Sequence, residues 1–175
     1  MFHIRPTLFG LWLMILVSFC WLACNPDGVP KASKGEISLE IENQTFTSAA
    51  TAIYQDGTVF GLDMTNIIQL TEGSKLFTLN FLADEGNFEG PAFDILEEAE
   101  LTLGNNTGKR ICYATYTDDP STAVYYTYGG QAKVTQLDLE ALEISASFSL
   151  WLYNIYDDTD SLSIKGSLNQ VEIIQ

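Results

Sequence analysis

The stretch Glu143-Ile-Ser-Ala-Ser-Phe-Ser-Leu-Trp-Leu-Tyr153 decides the fold class, because apolar and polar residues alternate through it without a break. Ile144, Ala146, Phe148, Leu150 and Leu152 fall on one face, and Glu143, Ser145, Ser147, Ser149, Trp151 and Tyr153 on the other. A period of two belongs to a strand with one buried side. Leu162 to Ile174 repeats the pattern, with Leu162, Ile164 and Leu168 set against Ser161, Ser163 and Lys165. Together with Ala132 to Leu137 these runs read as three antiparallel strands. Their register is strongly specified, since a slip of one residue would turn each apolar row toward water.

Working back toward the start, the same signal recurs in shorter pieces. Glu36 to Ile41 alternates, Asn43-Gln44 offers a tight turn, and Thr45 to Thr47 returns. Ser48 to Tyr54 and Thr58 to Thr65 are a second pair, with Gln55-Asp56-Gly57 as the turn between them. Lys75 to Phe81 places Phe77, Leu79 and Phe81 on one face, which is expected in the core. Arg110 to Thr117 and Val124 to Tyr128 flank the turn Asp118-Asp119-Pro120-Ser121. Between them, Phe93 to Leu103 carries Ile95, Leu96 and Ala99 at helical spacing among Glu97, Glu98 and Glu100, so one short helix is expected there. Many short strands at regular spacing predict an all-β fold: an antiparallel β-sandwich, immunoglobulin-like or related, with a small β-barrel as runner-up.

The start of the chain has a different character. Leu8 to Cys24 is unbroken apolar sequence behind His3 and Arg5, which reads as an export signal cleaved between Ala23 and Cys24. The expected organisation is a leader over residues 1–23, a Pro- and Gly-bearing tether over 24–35, and one domain over 36–175. With the cysteine at its new N-terminus the chain resembles bacterial lipoprotein precursors. That resemblance implies acylation of Cys24, palmitate among the chains, and a place in the cell envelope, at the outer membrane. Behind the leader stand seven basic residues against 23 acidic ones, a net charge of −16. Such a balance argues against nucleic-acid partners.

Cysteine and histidine usage excludes more. Cys20 leaves with the leader and Cys24 would carry lipid, so Cys112 remains alone in the apolar run Ile111 to Ala114 and reads as a buried small hydrophobe. The only histidine, His3, also lies in the leader, which removes histidine bases, catalytic triads and histidine-bearing metal sites from the mature chain. No cofactor is expected. Three candidate sites stand out. Trp151 and Tyr153 fall on the polar face of their strand, where aromatic rings can stack on a glycan or a protein partner. Asp157, Asp158 and Asp160 form the densest acidic cluster, in the expected loop before the last strand, and are a candidate calcium site. Tyr113, Tyr116, Tyr125, Tyr126 and Tyr128 read as cross-strand tyrosine pairs.

Behind the leader, the unit ISLEIENQTF (Ile37–Phe46) and the closing GGQAKVTQLDLEALEISASFSLWLYN (Gly129–Asn154) followed by LSIKGSLNQVEI (Leu162–Ile173) resemble a family of small Bacteroidota lipoproteins of unknown function. The resemblance implies a β-sandwich on a membrane anchor and transfers no catalytic residue. The expected function is therefore a non-enzymatic envelope module that binds or supports a protein or glycan. A carboxylate-dependent glycan hydrolase, or an accessory subunit of one, is the alternative.

Overall fold

The computed structural model describes residues 28–59, 62–70, 75–95, 108–119, 121 and 123–174. The leader, Cys24 and most of the expected helix, residues 96–103, lie outside the described residues. What is described is almost wholly strand, as the period-two pattern requires. β1 (Glu36–Ile41), β2 (Gln44–Val59), β3 (Leu62–Leu70) and β4 (Leu76–Ala83) are followed by a 3₁₀ turn at Asp84–Gly86 and a two-residue β5 (Asp94–Ile95). Then come β6 (Arg110–Asp119), β7 (Ala123–Asp138), β8 (Glu143–Asn154) and β9 (Asp157–Ile174).

The all-β expectation holds, and one continuous sheet takes the place of two stacked ones. Neighbours run β4-β3-β2-β1-β9-β8-β7-β6-β5, and β4 also pairs with β6 from Leu76↔Thr117 to Ala83↔Arg110. That last ladder brings the sheet back on itself. The arrangement is nearer the runner-up barrel than the sandwich, because one-sided strands satisfy either and only long-range pairing chooses between them. It is not a regular barrel. β1 is short, so β2 and β9 meet beyond it in parallel at Ala52↔Ile173, while β5 runs parallel to β6 and Phe93 bridges to Ala132 of β7.

Three local readings change for stated reasons. The first hairpin turns at Glu42-Asn43, one residue earlier than expected, where both residues take positive φ (50° and 65°) and Gln44 already pairs with Ile41. Gln55-Asp56-Gly57 bends β2 through a register shift between Gln55 and Val59 without ending it. Val124 to Tyr128 and Ala132 to Leu137, expected as separate strands, are parts of one long β7 that runs through Gly129-Gly130, with a bulge at Tyr128 and with Gly130 at φ 121°. A Cβ on Gly130 would lie 2.2 Å from the Ser149 carbonyl oxygen, so β7 and β8 can pass this closely only at glycine.

Side chains fill the interior. Ile37, Leu39, Leu79, Phe81, Leu150, Leu152 and Ile164 are fully buried, and Phe77 of β4 stacks across the inside on Phe148 of β8, with centroids 5.6 Å apart. Gly166 makes room for that stack, since a Cβ there would meet Phe148 Cζ at 2.5 Å. The segment after β4 closes one side: Phe88 and Phe93 bury their rings against each other, and Arg110 holds the backbone over them. Its guanidinium donates to the carbonyl oxygens of Phe88 (2.6 Å), Glu89 (3.0 Å) and Pro91 (3.0 Å), and to that of Asn87. Among the described residues the inside of the sheet is packed with side chains, which directs the search for a recognition site to the outer surface.

Candidate functional site: an aromatic platform on β7 and β8

Trp151 projects outward from β8 and is 52% exposed. Strand alternation puts it there, since Leu150 and Leu152 take the inner face. Its indole lies over Gly129, the residue opposite it on β7, where a Cβ would come within 2.9 Å of Cε3. Tyr128 flanks the indole at 6.4 Å between centroids and is 50% exposed. Tyr153, half-buried, stands edge-on to Tyr128 at 6.3 Å. The three rings form a shallow aromatic platform, seated by a glycine.

The sequence marked Trp151 and Tyr153 as a pair and assigned Tyr128 to a separate tyrosine group. The bulge is the reason for the difference. A register shift between Thr127 and Gly129 re-aims Tyr128 toward Trp151, and the adjacent Gly-Gly pair was the available signal. Of the tyrosine group, Tyr116 and Tyr125 do pair across β6 and β7, with rings 6.1 Å apart. Tyr113 is buried on β6.

The platform runs into a groove of about 380 Å³. Gln131, Lys133, Ser147 and Ser149 form its floor, on the same face as Trp151 because Gln131 and Ser149, and Lys133 and Ser147, are directly paired. Val29 and Ala92 are its walls. Val29 belongs to the expected tether, whose second half is laid along the sheet. Ala32 N–H donates to Ser167 Oγ (3.0 Å), Ser167 Oγ donates to the Pro30 carbonyl (2.5 Å), and Lys34 pairs with Glu143 at 2.7 Å.

The acidic cluster is arranged differently from the loop expected of it. Asp157 already pairs with Asn154, so the loop shrinks to Ile155-Tyr156, and the register jumps to Tyr153↔Ser161 around Asp158 to Asp160. Asp157 accepts from the Thr159 N–H (3.0 Å) and hydroxyl (2.7 Å), which hold its carboxyl below the usual carboxylate range. Asp160 turns the other way and accepts from Tyr125 Oη (2.8 Å) and Asn154 Nδ2 (3.0 Å). The structure does not gather the three carboxylates, and among the described residues no group of three Asp, Glu, His or Cys is placed to hold a metal ion.

A smaller pocket of about 80 Å³ opens between Glu42, Lys75, Tyr116, Asp118 and Tyr125. Lys75 closes on Asp118 at 3.4 Å, so the ammonium is already engaged and Glu42 leaves the pocket net acidic. Burial, with Asp160 accepting its hydroxyl, pushes Tyr125 up to about 12, and burial with Asp118 nearby pushes Tyr116 up as well. Cys112 is fully buried, and desolvation raises its thiol, which suits a core residue.

Fold and surface together define an all-β domain with a side-chain-filled interior and an external aromatic platform. No protein-family model matches the chain, and neither does any curated protein or solved structure. Among the described residues no helix is long and apolar enough to cross a membrane.

Proposed function

We propose that this protein is a lipid-anchored, non-enzymatic module of the cell envelope that binds glycan through the platform of Trp151, Tyr128 and Tyr153. The observation that carries the reading is the exposed indole seated on Gly129 beside a hydroxyl- and amide-floored groove. Flat apolar sugar faces stack on such rings, and the neighbouring polar groups satisfy hydroxyls. The filled interior supports an external site, and the leader ending at Cys24 supports the anchor. Because Pro30 is clipped to Ser167, six residue steps separate it from Cys24, about 20 Å at full extension. The β8–β9 side would then work close to the bilayer.

Two experiments test this. Wild-type protein should carry palmitate label and partition with membranes, and Cys24→Ala should lose both, so unchanged partition of the variant would defeat the anchor. Glycan-array binding should be lost in Trp151→Ala with the fold intact by circular dichroism, and binding indifferent to that change would defeat the platform. A hydrolysis assay run alongside decides the alternative, because turnover would make the protein a glycan hydrolase.

A further inference from the structure

Charge on the platform face runs against the rest of the molecule. Behind the leader the chain holds 23 acidic residues and seven basic ones, yet four of the seven, Lys31, Lys34, Lys133 and Lys165, lie along the docked tether or on the outer face of β7 and β9. Lys34 is used by Glu143. Lys133 and Lys165 have no carboxylate within 4.0 Å among the described residues. The ladders put them on opposite sides of β8, Lys133 beside Ser147 and Lys165 beside Ser149, two residues from Trp151. From strand spacing and rise, their Cα atoms stand roughly 12 Å apart across the groove floor.

Among the described residues, none that lines the groove is acidic. Of the acids nearest on this face, Glu143 is engaged by Lys34 and by Gln170 Nε2 (2.9 Å), Glu89 accepts from Leu137 N–H (2.8 Å), and Glu40 stands directly opposite Lys165 on β1 without closing on it as an ion pair. In a chain this acidic, two ammonium groups outside any ion pair among the described residues stand on either side of β8, beside the groove next to the platform. Screening over about 8 Å at physiological salt lets this pair act locally, although the net charge of the whole molecule is negative.

We infer that the glycan is anionic, a saccharide bearing carboxylate, sulfate or phosphate groups. One ring stacks on Trp151, and Lys133 and Lys165 take acidic groups on adjoining residues. This rests on the glycan-platform reading above and adds the charge class of the ligand.

The test uses the full chain in detergent, an array of matched acidic and neutral glycans, and titration with oligogalacturonate and with its methyl ester, in which each carboxylate charge is replaced by a neutral ester. Acidic glycans should bind in preference to neutral ones. Lys133→Gln/Lys165→Gln should weaken binding of the acidic ligands about tenfold more than binding of the neutral ones. Trp151→Ala should abolish both. Equal binding of acidic and neutral glycans, still lost in Trp151→Ala, would overturn the charge inference and leave the platform standing. No glycan binding at all would overturn both. Binding that goes to phosphatidylglycerol vesicles and not to acidic glycans would also overturn both, because the lysines would then be reading lipid.

Discussion

Gly129→Ala isolates the seat of the indole from the indole itself. Gly129 lies outside the left-handed region, so the backbone accepts alanine, and the clash falls on a side chain: the new Cβ would sit 2.9 Å from Trp151 Cε3 and 3.4 Å from Cζ3. Ordinary carbon contacts lie near 3.5 to 4.0 Å, so the ring must move by about 0.6 to 1.1 Å. It has open solvent to move into, being 52% exposed, so stability should stay within about 0.5 kcal/mol. Binding should suffer more. Removing a stacked tryptophan altogether costs on the order of 2 kcal/mol, about thirtyfold in affinity. Tilting it off its seat should cost about half of that, roughly fivefold. Trp12 and Trp21 lie in the expected leader, so in protein made without residues 1–23 Trp151 is the sole tryptophan and its fluorescence reports this site alone. Gly129→Ala should red-shift the emission and increase acrylamide quenching, with a parallel loss of glycan affinity by calorimetry. Unchanged emission and affinity would refute the seating argument, and a large fall in Tm would show that the contact is structural.

The remaining predictions concern the scaffold. Gly166→Ala should destabilise the domain by about 2 kcal/mol, since its Cβ would meet both Phe148 Cζ (2.5 Å) and the Ser38 carbonyl oxygen (2.7 Å), and the latter cannot move away cheaply. Calorimetry should show Tm lower by about 4 to 8 °C. Arg110→Met should cost about 2 kcal/mol by releasing the carbonyls of Asn87 to Pro91, with faster amide exchange confined to that segment and β5. Tyr125 titrates near 12 in the fold and near 10 when unfolded. The native state therefore binds the extra proton, and the stabilisation is complete below pH 10 and lost as pH rises through 12. Denaturant melts across that range should show a smaller alkaline loss for Tyr125→Phe than for the parent chain.

Several features of this protein are local, and the sequence by itself determined them. Strict alternation in Glu143–Tyr153 assigns Leu150 and Leu152 to the core and Trp151 to the outer face. The apolar run before Cys24 sets the expected address, and the expected loss of His3 with it would remove a whole class of chemistry. These readings need only neighbouring residues, because a period of two is a property of one strand. Which strands pair is a long-range matter that periodicity does not encode. The tertiary structure alone decided that β4 meets β6 and draws the sheet round, that Phe77 and Phe148 fill its inside, and that the tether lies clipped along β9. It also decided that the strand runs on through Gly129-Gly130 with a bulge at Tyr128, and so turned Tyr128 toward Trp151. The platform becomes visible only then, because its rings come from two strands whose register is set by contacts distant in sequence.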